Sequence, residues 1–112
     1  MPQLPDKFLQ NSISLAHMRI SDIAFEKENI PEILEYLIKN NIAILGGDVL
    51  DKKSGEYWYN YDNWFLNKSP SESWEKYVLN SIEHTRKYIN NYPLTAVAFS
   101  LVISEKKNHS SE

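Results

Sequence analysis

The chain contains no cysteine and only three glycines among its 112 residues. The missing thiols exclude disulfide bonds, thiolate metal sites and cysteine nucleophiles, and are compatible with a reducing compartment. The glycine pair Gly46-Gly47 lacks the third glycine of a dinucleotide-binding loop and the lysine ending of a P-loop, and Asp48 follows it and would repel phosphate. We interpret the pair as a bulge or a close backbone approach within a strand.

An excess of positive charge is also missing, because the formal net charge is -3 at pH 7 and the pI is about 5.6. Such a protein has no strong attraction for phosphate backbones or anionic membranes, so we expect no nucleic-acid partner and no membrane partner. The longest apolar run, Thr95 to Ile103, is shorter than the roughly 20 residues of a spanning helix. The N-terminal residues lack a signal-peptide pattern. These absences predict a soluble cytoplasmic protein.

The size and the balance of 42% hydrophobic and 24% charged residues are typical of one soluble domain. We predict that residues 1–104 form this domain. The polar tail at 105–112, EKKNHSSE, has nothing to bury and is predicted to be disordered.

Two segments have the spacing of amphipathic helices. The longer one has Ser69 as a candidate N-cap, Pro70 in the first position and Glu72 completing a capping box, and Pro93 ends it. Its apolar face consists of Trp74, Tyr77, Val78, Ser81, Ile82, Thr85, Tyr88, Ile89 and Tyr92. The shorter helix follows Asn29, which can cap it. Its apolar face consists of Ile30, Ile33, Leu34, Leu37 and Ile38.

Three strands are predicted, at residues 42–50, 56–65 and 95–104. The first two flank the turn DKKSG, in which Gly55 can take a positive φ, and this pattern favours an antiparallel hairpin. The third strand has apolar residues at both its odd and its even positions, as in a central strand covered on both faces. Pro5 to Phe25 shows no persistent period, and we expect only short helical turns there. The order of elements predicts an α+β fold: an antiparallel sheet of at least three strands with two main helices packed against it.

A regular hairpin register, with Leu50 opposite Glu56, places Asp48 opposite Trp58 and puts Asp62 on the same face. That face then carries two tryptophans and two acids, which suits no dry core, because buried unpaired carboxylates are costly. Either a bulge near the glycine pair changes the parity, or this face is partly wet and available for recognition.

The acids and histidines of the chain do not form a convincing catalytic site. On the regular register Asp48 and Asp62 stand roughly 13 Å apart, farther than the roughly 5–9.5 Å that separates paired carboxylates at a glycosidic bond. The histidines, His17, His84 and His109, have neither metal-ligand spacing nor an acid arranged to orient them. We therefore predict no catalytic residue, no metal and no cofactor. A small hydrolase using Asp48 or Asp62 stays as an alternative.

Seven tyrosines and three tryptophans exceed what one small core needs. Those of the long helix lie on its apolar face and are typical of a core, but those of the hairpin adjoin acids. Tyrosine and tryptophan with a few acids is the composition of a protein-binding hot spot. The candidate partner-binding residues are Asp48, Asp51, Glu56, Tyr57, Trp58, Tyr59 and Asp62. A peptide-binding module that adds a strand to the sheet edge is a second alternative.

The chain resembles the Imm40 family of bacterial immunity proteins in ISDIAFEKENIPEILEYLIKNNIAILGGDVL at residues 20–50, YDNWF at 61–65 and ESWEKYVLNSIEHTRKYINNY at 72–92. The resemblance covers residues 15–103, and ILGGDV, YDNW and ESW carry it. The motif residues are Gly46, Gly47, Asp48, Tyr61, Asp62, Asn63, Trp64 and Trp74.

This resemblance implies a small α+β protein, kept in the cytoplasm of the producing cell, that binds and neutralises a cognate toxin of a polymorphic toxin system without catalysis. Acids on the hairpin would suit a toxin with a basic substrate cleft, such as a nuclease. Because recognition surfaces should differ with the toxin while motif residues can serve the fold, we favour Tyr57 to Asn60 over Asp48 and Asp62 as the binding residues.

Overall fold

The computed structural model describes residues 3–18, 23–93 and 96–106. Its strands form one five-stranded antiparallel sheet with the order β1-β2-β5-β3-β4. The strands are β1 Ile13–Ser14, β2 Ile23–Glu26, β3 Ala43–Lys53, β4 Glu56–Phe65 and β5 Val97–Ser104, and the α-helices are α1 Asp6–Leu9, α2 Ile30–Lys39 and α3 Trp74–Asn91. The predicted α+β fold, with two main helices packed on an antiparallel sheet, is confirmed.

The sheet includes two strands, β1 and β2, in the segment where the sequence predicted only short helical turns. They have two and four residues, too few to show an alternating pattern. Their pairing with each other and with β5 places β5 and β3 inside the sheet and β4 at an outer edge.

The main hydrophobic core lies between α2, α3 and one face of the sheet. The sheet contributes Phe25, Ile44, Val49, Trp64, Val97, Phe99 and Ile103, and the helices contribute Ile30, Ile33, Leu34, Leu37, Tyr77, Val78, Ile82 and Ile89. These helical residues belong to the two predicted apolar faces, so the helical periodicity identified the buried side of both helices.

The opposite face of the sheet carries a smaller core under the chain segment that follows β1. Leu15 is fully buried there against Leu50, Tyr57 and Ala98. This segment covers the first half of β5 on its second face, as predicted for a central strand, whereas Val102 near the end of β5 is exposed. Part of this face therefore stays open to solvent.

The start of α3 differs from the prediction. The helix begins at Trp74, and the hydroxyl of Ser73 accepts the cap hydrogen bond from the Lys76 N–H at 3.1 Å. The predicted pair still interacts, because Glu72 Oε1 accepts from the Ser69 N–H at 2.8 Å, but this contact closes a separate turn before the helix. The helix ends at Asn91, as the proline that follows predicts.

The shorter helix α2 begins at Ile30, but the side chain of Asn29 makes no cap hydrogen bond. A single turn of 3-10 helix over Lys27–Asn29 leads into α2, so Asn29 already has helical dihedral angles instead of the extended ones of a capping residue. Within the described part of the chain, no helix combines the length and apolar character that crossing a membrane requires. From residue 107 onward, the predicted polar tail lies outside the described residues.

The hairpin between β3 and β4 turns more tightly than predicted. Lys53 pairs with Glu56, so Ser54 and Gly55 alone form the turn, with φ values of 52° and 84°. Two consecutive positive φ values are typical of the type I′ turn, whose twist matches that of the strands. The predicted positive φ at Gly55 is confirmed, and the remaining residues of the expected loop extend β3.

The predicted hairpin register is wrong. Asp48 pairs with Asn63, not with Trp58, because the tight turn already places Leu50 opposite Tyr59 instead of Glu56, and the register shifts by two further residues between Leu50 and Asp48. Three residues of β4, Asn60 to Asp62, stand opposite the single residue Val49 of β3. This bulge shifts the pairing by two residues, so that residues on either side of it keep their faces but have different partners from those of a regular hairpin.

A second irregularity, between Ile44 and Gly46 in the pairing of β3 with β5, lies at the glycine pair and confirms the predicted bulge. A Cβ atom on Gly46 would collide with the carbonyl oxygen of Trp64, and one on Gly47 would collide with the Ser100 carbonyl oxygen and the Trp64 ring. The pair is therefore required for close packing of β3 against both neighbouring strands.

Candidate protein-interaction surface

The aromatic residues at the start of β4 divide into a buried and an exposed set. Tyr57 is buried, and its hydroxyl donates to Glu26 Oε2 at 3.0 Å. Burial, with help from this hydrogen bond, raises the pKa of Tyr57 and keeps the hydroxyl neutral. Tyr59 is half-buried against the small core around Leu15. Of this group, Trp58 is the exposed ring, with 39% of its surface accessible.

Trp58 packs against a histidine from the N-terminal segment. The His17 ring meets it edge to face, with ring centroids 4.8 Å apart. His17 Nδ1 lies 3.3 Å from Glu56 Oε2, and Nε2 lies 2.5 Å from the Tyr57 carbonyl oxygen. The sequence assigned no role to His17, and no local signal reveals one, because its partners lie about 40 positions along the chain. The segment after β1 thus reaches across the sheet to the β4 edge.

The two acids that the sequence considered for catalysis have different partners. Asp48 is half-buried, and the Ser100 hydroxyl of β5 accepts from its N–H at 3.3 Å and approaches its Oδ2 at 3.5 Å. Asp62 is exposed, and its Oδ2 accepts from the Tyr92 hydroxyl at 2.6 Å. The structure therefore brings neither acid into a shared site. In the part of the chain that the structure describes, no group of three or more histidine, aspartate or glutamate side chains could hold a metal ion.

A hydrogen-bond network joins the β4 bulge to the end of α3. The side-chain N–H groups of Asn60 donate to Asp51 Oδ1 at 2.9 Å and to Tyr92 Oη at 2.8 Å. Asn60 Oδ1 accepts from the Asp62 N–H at 2.9 Å. Partial burial, together with the hydrogen bond to Asp62, raises the pKa of Tyr92 to about 12. We call these four residues, Asp51, Asn60, Asp62 and Tyr92, the bulge network.

Tyr61 lies at the centre of the bulge and projects from it. Its φ is 73°, and 88% of its surface is accessible. Asn63, which follows the bulge, is also exposed, and its side-chain amide donates to the Tyr61 carbonyl at 3.3 Å. Phe65 at the end of the same strand is 66% accessible. The sequence placed Tyr61 among the hairpin aromatics that suggested an interface and among the motif residues, but not among the candidate partner-binding residues, and it did not single out Phe65.

Two motif tryptophans serve the fold. Trp64 is buried, its indole N–H donates to Thr85 Oγ1 at 3.0 Å, and its ring stacks on Tyr88 with centroids 4.8 Å apart. Trp74 opens α3, and its indole N–H donates to the Asn41 carbonyl at 2.9 Å. Trp74 also lines an apolar cleft of about 620 Å³ at the end of the sheet away from the hairpin turn, and the hairpin acids do not line this cleft.

The surface consists of exposed residues of β4, namely Glu56, Trp58, Tyr61, Asp62 and Phe65, with the half-buried Asp51 of the neighbouring strand β3. Exposed rings next to acids on a rigid strand can contact a protein partner without any chemical step. Neither a curated protein nor a solved structure matches the chain. Residues 14–103 match the family model of immunity protein 40, Imm40, and this match covers most of the sequence. The chain belongs to the Imm40 family of immunity proteins.

Proposed function

We propose that the protein binds a cognate bacterial toxin in the cytoplasm of the producing cell and neutralises it by stoichiometric protein–protein inhibition. Membership of an immunity protein family supports this proposal. The observation that carries it in the structure is the exposure of three aromatic rings, Trp58, Tyr61 and Phe65, on one edge strand. Exposed aromatic residues near acids are typical of interaction hot spots, and an inhibitor that covers the toxin needs no catalytic group.

The charges beside these rings favour a basic partner. Among the residues that the structure describes, no cation lies within ion-pair distance of Asp51 or Asp62, which instead accept hydrogen bonds from neutral donors. Positive charge on the hairpin, at Lys52 and Lys53, is confined to the end near the turn. A toxin that acts on a polyanion, such as a nuclease, would present a complementary basic surface.

Strand addition to β4 is a weaker explanation. An added peptide strand requires an uninterrupted row of free N–H and carbonyl groups along the edge. Here the Tyr57 carbonyl already contacts His17, and the bulge at Asn60 to Asp62 breaks the row in the middle of the strand. Binding through the projecting side chains fits this edge better.

Inhibition of this kind depends on mass action. The complex must be tight enough to leave little free toxin at cellular concentrations, which for nanomolar dissociation constants means about 12 kcal/mol of binding free energy. A few buried rings can supply a large share of this energy.

The direct test is co-expression with the C-terminal toxin domain encoded by the neighbouring gene, followed by a survival assay and a pull-down. The wild-type chain should protect the cells and capture the toxin domain. Trp58→Ala should reduce both, because it removes an exposed ring of the surface. Leu79→Ala is the matched control, because Leu79 is an exposed apolar residue on α3, 55% accessible, and should keep both.

Two results would contradict the proposal. One is a wild-type chain that neither protects cells nor captures the toxin domain. The other is turnover of a small molecule that disappears in Asp48→Asn or Asp62→Asn, because it would support the hydrolase alternative. Full protection by a folded Trp58→Ala variant would remove Trp58 from the binding surface.

A further inference from the structure

Tyr61 has a backbone conformation that its residue type disfavours. The non-glycine residues with positive φ in the described ranges are Asn41, Ser54 and Tyr61, at 58°, 52° and 73°. Asn41 follows the end of α2, where asparagine tolerates this conformation, and Ser54 occupies the hairpin turn, which requires it. Tyrosine, with its Cβ and bulky ring, is strained there.

Packing of the ring does not compensate for this strain. The Tyr61 side chain is 88% accessible, so it adds almost nothing to either core. A glycine or an asparagine would allow the same bulge with less strain. A strained residue whose side chain serves no fold contact points to a function outside the fold.

The bulge around Tyr61 is held on both sides. Asn60 and Asp62, its chain neighbours, are bonded to each other and to Tyr92 of α3. The Tyr61 carbonyl accepts from the Asn63 side chain. The ring therefore projects from a backbone that is already ordered in the free protein, and ordering it on binding costs little conformational entropy.

We infer that Tyr61 is the anchor of the toxin complex: its ring enters a pocket on the toxin, and the bulge holds the backbone in the bound conformation beforehand. This inference rests on the proposed function and identifies Tyr61 as the residue that makes the central contact with the toxin. The acids Asp51 and Asp62 lie next to the anchor, so the rim of the toxin pocket should be basic. A strained, exposed anchor predicts that stability and binding respond in opposite directions to substitution at this position.

The test compares Tyr61→Phe, Tyr61→Ala and Tyr61→Asn in the full chain, with the toxin domain of the neighbouring gene as the probe. Titration calorimetry should show that Tyr61→Phe keeps most of the affinity. Tyr61→Ala and Tyr61→Asn should weaken binding by about 30-fold or more, the effect of losing a hot-spot residue. Urea denaturation should give Tyr61→Asn a midpoint above that of Tyr61→Ala and at least equal to that of the wild type, because asparagine relieves the strain.

The outcomes separate the inference from the proposed function. A Tyr61→Ala variant that binds as tightly as the wild type would overturn the anchor role while leaving toxin binding established. An Asn variant with a clearly lower midpoint than the wild type would overturn the claim that the bulge strains Tyr61. If the wild type does not bind the toxin domain, both the inference and the proposed function fail.

Discussion

Two aromatic residues of β4, Tyr61 and Trp64, are three positions apart and have opposite environments. Trp64 is buried, stacked on Tyr88 and hydrogen bonded to Thr85. Tyr61 is almost fully exposed on a strained backbone. Because they are three positions apart, strand alternation already assigns them to opposite faces, and Tyr61 also lies within the bulge. One strand thus stabilises the core with one ring and presents another to solvent.

The largest expected effect on stability is at Trp64, the buried residue of this pair. Trp64→Ala removes a large core side chain and leaves the Thr85 hydroxyl without its indole partner. We expect a loss of about 3–5 kcal/mol in the free energy of unfolding, measured by guanidinium denaturation. Tyr61→Ala, the matched substitution at the exposed end, should change it by about 0.5 kcal/mol or less. Similar losses for the two variants would contradict the assigned environments.

The next effect concerns the glycines beside Trp64. Gly47→Ala places a Cβ against the Ser100 carbonyl oxygen and the Trp64 ring, and this overpacking should cost about 3 kcal/mol. Gly55→Ala is the control, because its Cβ would enter open space and only its φ of 84° is unfavourable. That strain should cost about 1 kcal/mol. If urea denaturation reverses this order, close packing at Gly47 is not what requires glycine.

A smaller effect is expected where the bulge meets α3. Tyr92→Phe keeps the ring but removes the hydroxyl that donates to Asp62 and accepts from Asn60, and should lower the free energy of unfolding by about 1 kcal/mol. Toxin affinity should also fall, because the bulge is no longer fixed to α3. Tyr36→Phe is the control, because the Tyr36 hydroxyl forms no hydrogen bond with any of the described residues. Stability and affinity of this variant should stay close to those of the wild type. Unchanged toxin affinity in Tyr92→Phe would show that the bulge network does not orient the binding surface.

The last effect appears only at alkaline pH, so it is the smallest under neutral conditions. The pKa of Tyr92 is raised from 10.0 to about 12, so the folded chain holds this proton more tightly than the unfolded chain. This contribution is fully present below pH 10 and is lost as pH rises through about 12. Tyr57, Tyr77 and Tyr88 also have raised pKa values, so the wild type should lose stability over this range. Unfolding measured from pH 8 to 12 should show a smaller loss in Tyr92→Phe, and equal losses would contradict the Tyr92 contribution.

Local pattern was sufficient for much of the fold. The apolar spacing on α3 identified the buried residues Tyr77, Ile82 and Ile89, and the apolar β5 was recognised as an internal strand. Gly55 marked the hairpin turn. Each of these features depends on residues within a few positions, so a single sequence carries the information.

The candidate site was predicted less well, because its geometry depends on distant residues. Tyr57 is buried because Leu15 and Glu26 reach it from the N-terminal part of the chain. The bulge that contains Tyr61 is fixed by Tyr92, which lies 30 positions along the chain from its partner Asp62. Neither contact affects the local pattern of apolar and polar residues. The sequence could therefore predict the hairpin but not which of its side chains are exposed.

The sequence by itself determined the composition of the β3–β4 hairpin, the helical faces that make the core and the family to which the chain belongs. Only the tertiary structure decided which rings of β4 face solvent, since the two-residue turn sets the hairpin register and the segment around Leu15 covers part of one face of the sheet. The physical reason is that strand alternation is a local rule, whereas the register of a hairpin and the burial of its side chains also depend on contacts with distant parts of the chain. Here Tyr92 of α3 forms hydrogen bonds with the side chains of Asn60 and Asp62, on either side of Tyr61.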